Sequence, residues 1–244
     1  MNPSFIYRNL KARFRDQRQE VNALLTHIRP GDTVVDCGAN KGSYLWTLSR
    51  AAGKNGQVIA FEPQRKLAAY LREMVQSCNL SNVRIEEQGI SDHAGTLQLM
   101  IPGGDTSPGA TLEKSILQRE DCATYPVTVV SLDEYFAARK GRISAIKIDV
   151  EGHEFALFKG AQQILEQDAP LLVFECEQRH LSGASVAEIL GWLQVLGYDG
   201  WFIQHGELRP IAEFDAKLHQ QQQGERFWDG PDYCNNFIMS KAEA

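Results

Sequence analysis

The sequence predicts an α/β fold built on a doubly wound, mostly parallel sheet. From Asp32 onward, short apolar runs rich in β-branched residues alternate with helical segments, which implies βαβ units. The run Leu171–Phe174 is apolar without alternation, as is typical of a strand buried on both faces. The last two strands, Trp201–Gln204 and Asn235–Ser240, have no convincing helix between them. We therefore expect antiparallel pairing at one edge of the sheet.

Each earlier element follows from its local pattern of apolar residues and turn residues. The predicted strands are Thr33–Asp36, Gln57–Glu62, Val83–Gln88, Thr96–Ile101, Val127–Val130, Ala145–Asp149 and Leu171–Glu175. The predicted helices are Ser43–Ala52, Gln64–Ser77, Ser131–Ala138, His153–Gln167 and Ser185–Leu196. A loop rich in glycine and proline, Pro102–Ala110, separates two of the strands. We expect residues 31–244 to form a single domain with an insert at about 95–130.

Composition excludes several classes of protein. The 244 residues are 43% apolar and 23% charged, close to globular averages, so wholesale disorder is excluded. The formal net charge of −6 disfavours binding of a nucleic-acid backbone by charge alone. No apolar run approaches the roughly 20 residues that cross a bilayer. The N-terminus lacks the apolar segment of a secretory signal, so we expect no leader there.

The cysteines indicate a reducing compartment. The chain has five of them, an odd number, widely spaced and without a C-x-x-C pair. This pattern disfavours a disulfide framework or a zinc cluster, so we expect reduced thiols and a cytoplasmic protein.

Residues 1–30 are predicted to form an N-terminal helical extension. Ile6, Leu10 and Phe14 recur at helical spacing, and basic residues fall mostly elsewhere around the helix. We expect a solvated helix packed on the domain. The alternative is a basic helix that rests on an anionic membrane surface or a partner.

A glycine-rich turn follows the first strand. It contains Asp36, Gly38, Asn40 and Gly42 at alternate positions, and it precedes a helix. Ligands of open α/β sheets bind at the carboxyl ends of strands, where glycines allow backbone amides to approach them. Asn40 replaces the second glycine of the dinucleotide fingerprint, and an acidic first residue suits a cationic ligand better than a diphosphate.

Glu62 ends the second strand, 20 residues after Gly42. A carboxylate at this position can accept hydrogen bonds from both hydroxyls of a ribose. The alternative is an exposed residue at the start of the next helix, where Pro63 suits the first helical position. Together with the glycine turn, the position favours ribose binding.

A charged segment, Lys147 to Glu154, follows a buried strand. Lys147, Asp149 and Glu151 are two residues apart, so on a strand they would share one side. Ionisable groups are costly there unless they are paired or functional. The alternative is that Lys147 and Asp149 only neutralise each other, while Glu151 and Glu154 favour the helix N-terminus.

These three motifs resemble those of FkbM-type methyltransferases, from about Gly31 to Ser240. The resemblance implies a Rossmann-like sheet of about seven strands (class I methyltransferase-like), with the last strand inserted antiparallel. It also implies S-adenosylmethionine as cofactor and O-methylation of hydroxyls, often on sugars or polyketide-like products.

Applied residue by residue, the resemblance implies that three groups of residues bind the cofactor. Asp36 and the turn of Gly38, Ala39, Asn40 and Gly42 would hold the methionine end of the cofactor, and Glu62 would hold the ribose. The segment that contains Gln88, Gly89 and Ser91 would flank the adenine, although the family more commonly has an acidic residue there.

Asp149, Glu151 and His153 are the predicted catalytic residues. Methyl transfer to an alcohol needs alignment and removal of a proton, and a histidine titrates close to neutral pH. The acids Asp149, Glu151, Glu154, Glu175 and Glu177 could gather oxygens for Mg²⁺, but their spacing fixes no octahedral site, so we predict no metal. The other histidines, His180 among them, are expected at the surface or the edge of the core.

The predicted function is an S-adenosylmethionine-dependent O-methyltransferase acting on a hydroxyl of a sugar or other small metabolite. The insert at 95–130 would shape the acceptor pocket, and Pro102–Ala110 would form a lid. One alternative is a nicotinamide-dependent oxidoreductase, which the missing middle glycine disfavours. Another is a non-catalytic cofactor-binding partner protein, which the Asp149–Glu154 segment disfavours.

Overall fold

The computed structural model describes residues 2–113, 122–139 and 141–241. The strands are β1 (Thr33–Cys37), β2 (Gln57–Phe61), β3 (Val83–Glu86), β4 (Gly89–Ile90), β5 (Gly95–Pro102), β6 (Cys122–Val130), β7 (Ile143–Ile148), β8 (Leu171–Glu175), β9 (Tyr198–Gln204), β10 (Glu207–Pro210) and β11 (Asn236–Lys241). The helices are α1 (Pro3–Lys11), α2 (Arg18–His27), α3 (Leu45–Ala52), α4 (Arg65–Ser77), α5 (Leu132–Tyr135), α6 (Glu154–Lys159), α7 (Gln162–Gln167), α8 (Val186–Val195) and α9 (Ala216–His219).

The main sheet has eight strands in the order β10-β9-β11-β8-β7-β1-β2-β3. Strands β3, β2, β1, β7 and β8 are parallel neighbours, which confirms the mostly parallel α/β prediction. Strand β11 lies between β8 and β9 and is antiparallel to both. The antiparallel strand at the edge is β10, which forms a hairpin with β9. Its residues are exposed and lack an apolar pattern, so the sequence does not predict it.

The sheet is covered by helices on both faces. Adjacent residues of β1 illustrate this, because Val34 packs into one buried cluster and Val35 into the other. Leu24 of α2 and Leu48 of α3 belong to the first cluster, whereas Leu157 of α6 belongs to the second. The central strands are therefore buried on both sides, and their carboxyl ends are the accessible part of the sheet.

The predicted helix His153–Gln167 is wrong as a single element. It is divided into α6 and α7 at Gly160, which packs against the backbone after β4. A Cβ at position 160 would lie 2.1 Å from the Ser91 carbonyl oxygen, so this close approach needs glycine. The N–H groups of Gln163 and Ile164 donate to the Asp133 carboxylate, which caps the start of α7.

The segment within the predicted insert forms a small second sheet in the order β4-β6-β5. Strands β5 and β6 pair antiparallel over their whole length, and Leu99, Ile101, Val127 and Val129 form its buried cluster. The part of the predicted insert at 114–121 lies outside the described residues.

The N-terminal segment is helical, as predicted from the sequence. It consists of α1, a π-helical stretch over Ala12–Asp16, and α2. Phe5, Val21 and Leu24 are buried in the core, but Leu10 and Phe14, two of the three residues at the predicted helical spacing, are exposed. Asn9 donates to the Gly42 carbonyl at 2.9 Å, so α1 supports the glycine-rich turn directly. Within the described ranges, no helix is both long enough and apolar enough to cross a bilayer.

Candidate functional site

Two neighbouring cavities open at the carboxyl ends of the strands. The first, here called the inner cavity, is bordered by the turns after β1, β2, β3 and β7 and by the loop after β5. Its lining residues are Gly38, Asn40, Phe61, Glu62, Pro63, Gln64, Gln88, Gly89, Ile90, Leu99, Pro108, Ala110, Leu112, Asp149 and Val150. Four separate sequence motifs therefore meet in one place, as expected for strand ends at one edge of a parallel sheet.

Gly38 joins the ends of β1 and β7. Its φ of +78° is in the left-handed region, and a Cβ there would lie 1.8 Å from the Asp149 carbonyl oxygen. The backbone N–H groups of Gly38 and Ala39 donate to the Phe61 carbonyl. Glycine is therefore required by backbone packing, in addition to any approach of a ligand.

Two other residues of the predicted turn do not line either cavity. A Cβ at Gly42 would lie 2.8 Å from the Phe5 ring and 2.9 Å from the Leu71 side chain. This glycine therefore allows α1 and α4 to pack against the turn. Ala39 is buried in the same hydrophobic cluster.

A buried charge cluster lies beneath the inner cavity. Asp36 is 1% exposed, and neither of its carboxyl oxygens accepts a hydrogen bond from a described residue. The Lys147 Nζ lies 3.7 Å from Asp36 and 3.3 Å from Asp149. Burial raises the pKa of Asp36, and Lys147 opposes this effect. Burial would lower the pKa of Lys147, but the charges of Asp149 and Asp36 outweigh it and raise that pKa.

Lys147 and Asp149 are thus paired, as expected if these two residues only neutralise each other. However, Lys147 lies near two carboxyl groups, and part of the Asp149 side chain is exposed at the inner cavity. The cluster therefore places more acidic than basic groups at this edge.

Glu62 is 2% exposed and lines the inner cavity, so it is not the exposed residue that the alternative expects, although it does contact the start of α4. Its Oε2 accepts the Asn40 N–H at 2.7 Å, and its Oε1 accepts the Gln64 N–H at 2.9 Å. Burial raises the pKa of Glu62 to about 7, although the two backbone donors oppose the change. Each oxygen retains a free lone pair for a further donor.

Gln88 and Gly89 also line the inner cavity. The Gln88 Oε1 atom is buried and accepts no hydrogen bond from the described residues. A buried amide oxygen without a donor is destabilising by roughly 1–3 kcal/mol. The atom is thus an unused acceptor beside the cavity.

The loop predicted as a lid borders the inner cavity. Gln64 and Ser107 exchange two hydrogen bonds of 2.9 Å, which fasten this loop to the start of α4. Pro108, Ala110 and Leu112 supply an apolar wall. The Thr111 hydroxyl donates to the Glu151 carbonyl at 2.6 Å, so the loop is also tied to the segment after β7.

His153 and Ser91 lie away from both cavities. The His153 Nε2 is 2.9 Å from the Ser91 hydroxyl, and its Nδ1 is 2.7 Å from the Glu113 carboxylate. The ring is 7% exposed. Both ring nitrogens are thus engaged, and the contacts join the loop after β4 to the insert.

The second, larger cavity, here called the outer cavity, contains Glu151. Its lining residues are Asp16, Gln17, Glu20, Pro102, Ser107, Pro108, Gly109, Glu151, Glu175, Glu177, Arg179, His180, Gln222, Phe227, Trp228, Asp229, Asn235 and Asn236. Pro108 borders both cavities, and Asp149 and Glu151 lie on the same short segment. The two cavities therefore adjoin at the end of β7.

Carboxyl groups dominate the outer cavity. Burial raises the pKa of Glu20 to about 7, and burial with neighbouring carboxylates raises the pKa of Glu175 well above its ordinary value. Glu177 differs: burial would raise its pKa, but hydrogen bonds from Arg179 and Tyr233 outweigh this and lower it to about 2. Glu151 lies 3.0 Å from His180, and burial raises its pKa despite that neighbour.

Sequence reasoning missed most of the outer cavity. Glu20, Trp228 and Asn235 belong to separate segments that carry no motif. One feature of the sequence could have identified Arg179 and His180 as site residues. They follow the end of a strand at the edge of the sheet where ligands bind. Among the described residues, no three His, Cys, Asp or Glu side chains are arranged to hold a metal ion.

Comparison with known sequences identifies the family. The sequence pattern of the methyltransferase FkbM domain matches residues 36–199. The chain belongs to the FkbM methyltransferase family. This assignment agrees with the resemblance of its motifs, and the family and the fold are those of S-adenosylmethionine-dependent methyltransferases.

Solved structures of other methyltransferases share the fold of this family member. The FkbM methyltransferase from Methylobacillus flagellatus KT superposes with a TM-score of 0.55 at 16% identity, over 98% of this chain and 58% of that chain. A SAM-dependent methyltransferase from Aquifex aeolicus gives a TM-score of 0.50 at 13% identity, over 99% and 94% of the two chains.

A curated relative matches over a short segment. It is the catalytic subunit of a tRNA (adenine(58)-N(1))-methyltransferase from Cryptococcus neoformans, 33% identical over 63 residues. The match spans 26% of this chain and 14% of the relative. It is therefore confined to a minor part of that protein.

Proposed function

We propose that this family member is an S-adenosylmethionine-dependent O-methyltransferase that acts on a hydroxyl of a sugar or other small metabolite. The proposal rests mainly on one observation. The buried Glu62 carboxylate and the Gln88 amide oxygen, which has no hydrogen-bond partner among the described residues, occur together in the inner cavity. These groups complement the two hydroxyls of a ribose and the amino group of an adenine. Family membership supports the methyl-transfer chemistry.

The inner cavity fits the cofactor in three respects. Glu62 would accept the ribose hydroxyls on its free lone pairs, and Gln88 would accept the adenine amino group. Ala110 and Leu112 offer apolar surface to the purine, together with Ile90. When bound, the cofactor supplies an activated methyl group on a cationic sulfur. Asp149 places a carboxylate where that positive charge would be favoured.

The outer cavity is the proposed acceptor site. Its carboxylates and the amides of Asn235 and Asn236 accept or donate hydrogen bonds as the hydroxyls of a polyol require. It adjoins the inner cavity at Asp149 and Glu151, so an acceptor there would lie beside the methyl donor. The protein's principal task is then to align the acceptor oxygen with the methyl group.

Of the predicted base candidates, Asp149 and Glu151 border the cavities, whereas His153 does not. We propose that His153 holds the insert in place through Glu113 and Ser91. We also propose a cytoplasmic site of action, which the five free cysteines support.

Calorimetry and product mass test the function. We expect S-adenosylmethionine and S-adenosylhomocysteine to bind in a one-to-one complex, and NADH not to bind. Incubation with S-adenosylmethionine and a panel of sugars and sugar conjugates should then yield a product heavier by one methyl group. NADH binding without S-adenosylhomocysteine binding would support an oxidoreductase instead. Cofactor binding without turnover on any acceptor would support the non-catalytic partner protein.

A further inference from the structure

A histidine and a glutamate form a pair on the wall of the outer cavity. The His180 Nδ1 lies 3.0 Å from the Glu151 Oε2, and both side chains line the cavity. They are 18% and 17% exposed, so the pair is partly shielded from solvent but still accessible. No described residue forms a hydrogen bond with the other ring nitrogen, Nε2. One side of the imidazole is therefore bound by a carboxylate and the other side is free.

The surrounding backbone holds this pair in place. A Cβ at Gly152 would lie 2.2 Å from the His180 carbonyl oxygen, so the segment after β7 packs directly on the loop after β8. The His180 N–H donates to the Glu177 carbonyl at 3.0 Å. Thr111 fixes the Glu151 carbonyl from the other side. The backbone that carries the His180 ring and the Glu151 carboxylate is thus held by contacts among three segments of the chain.

We infer that His180 is the general base of the methyl transfer and that Glu151 is its positioning residue. This inference rests on the proposed function. The Glu151 carboxylate lies beside Nδ1 and favours the tautomer that carries its proton there, which leaves the lone pair on Nε2 free to accept a proton. His153 lacks this property, because both of its nitrogens are engaged. Glu151, named from the sequence as a catalytic candidate, then acts through His180 rather than on the acceptor.

Two bonds form and two bonds break in the methyl transfer. The acceptor oxygen forms a bond to the methyl carbon while the carbon–sulfur bond of the cofactor breaks, and that bonding pair remains on sulfur. The acceptor's hydroxyl proton passes to the His180 Nε2. The Glu151 carboxylate stabilises the positive charge on the ring until the proton is released to solvent.

The charged groups around the pair lie at the carboxyl ends of β7 and β8 and in the segments that follow them, and they include Glu175 and Glu154, which interact electrostatically with Glu151. Asp149 lies two residues before Glu151 on the segment after β7, and Glu177 and Arg179 lie on the loop after β8. Arg179 is bound to Glu177, so its positive charge is already paired.

Imidazole ¹⁵N NMR tests the pairing without any acceptor. In the wild-type protein at alkaline pH, the His180 signals, assigned by their loss in His180→Gln, should show the Nδ1–H tautomer. Glu151→Ala should shift the population toward the Nε2–H tautomer. His93→Gln is the matched control, since His93 is an exposed histidine paired with Asp92. A wild-type His180 in the Nε2–H form would overturn the inference.

Kinetics test the base itself on acceptors found by the mass screen. His180→Gln should lower kcat by roughly 10²–10⁴-fold, while S-adenosylhomocysteine affinity stays within twofold of wild type. Added imidazole should partly restore His180→Ala, and His93→Gln should turn over normally. Turnover of His180→Gln within threefold of wild type would exclude the base role while leaving the proposed function intact. Failure of the wild-type protein to bind S-adenosylhomocysteine would instead refute the proposed function.

Discussion

Replacement of Glu62 by glutamine should weaken S-adenosylhomocysteine binding and remove most of its dependence on pH. The Glu62 carboxylate is buried in the inner cavity, and its pKa is raised by burial to about 7. Ribose hydroxyls donate hydrogen bonds, so they favour the ionised carboxylate over the protonated form. Binding of the ligand is therefore linked to loss of a proton from Glu62.

The magnitude follows from the ionised fraction. With a pKa of about 7, roughly one carboxyl in eleven is ionised at pH 6 and about ten in eleven at pH 8. If the ligand binds only the ionised form, the Kd of the wild-type protein should fall about tenfold between these pH values, or about 1.4 kcal/mol. Hydrogen bonds to a charged group contribute about 1.5–3 kcal/mol, so Glu62→Gln should bind roughly 10–150-fold more weakly at pH 8.

Isothermal titration calorimetry at pH 6, 7 and 8 measures both effects. Glu73→Gln is the matched control, because Glu73 is an exposed residue of α4 outside the cavity. Glu62→Gln also retains an oxygen that can accept one of the two backbone N–H groups, so the protein should remain folded by circular dichroism. An unchanged affinity would show that Glu62 does not contact the ligand. A tenfold pH effect that persists in the variant would assign the linked proton to another group.

Three further outcomes are expected. Gln88→Leu should weaken S-adenosylhomocysteine binding by about 1–3 kcal/mol in calorimetry. The melting temperature of the free protein should stay unchanged or rise, because the variant removes a buried oxygen without a hydrogen-bond partner among the described residues. A lower melting temperature together with weaker binding would indicate a structural role for Gln88. Gly38→Ala should lower the melting temperature by roughly 5–10 °C as well as abolish binding, since its Cβ would clash with the Asp149 carbonyl; a normal melting curve would contradict that contact. The pKa of the buried Glu154 is raised by burial to about 8 in the folded protein, so the stabilising effect of its protonated form is lost as pH rises through 8. Urea denaturation should therefore show that the wild-type protein loses stability relative to Glu154→Gln between about pH 5 and 8, by up to roughly 1.4 kcal/mol per pH unit. A difference in unfolding free energy between the two proteins that does not change with pH would contradict the raised pKa of Glu154.

The fold was accessible from the sequence because local pattern and tertiary structure agree in its central part. The apolar run Leu171–Phe174 predicts a strand buried on both faces, and β8 occupies such a position. The misplaced features depend on distant contacts. Gly160 ends α6 because the Ser91 backbone approaches it, and nothing near Gly160 in the chain reveals that neighbour. Strand β10 is exposed and is defined only by pairing with β9.

The inner cavity was predictable for a related reason. Gly38, Glu62, Gln88 and Asp149 each end a strand or follow it directly, so the topology of a parallel sheet brings them together. Motif spacing could not distinguish a residue that faces the cavity from one that supports it. His153 lies next to the motif acids in the chain, but its ring turns toward Ser91 and Glu113.

The charge cluster beneath the inner cavity accounts for both binding and release under the proposed function. The cluster holds two carboxyl groups, those of Asp36 and Asp149, against the one base Lys147, so the site suits a cationic sulfonium better than an anion. Methyl transfer removes that positive charge, and the neutral thioether product loses the attraction. A stronger field would also oppose the reaction, because it would stabilise the cofactor more than the transition state, in which the charge is already dispersing. Lys147 lies within 4 Å of both carboxyl groups and therefore offsets part of this field.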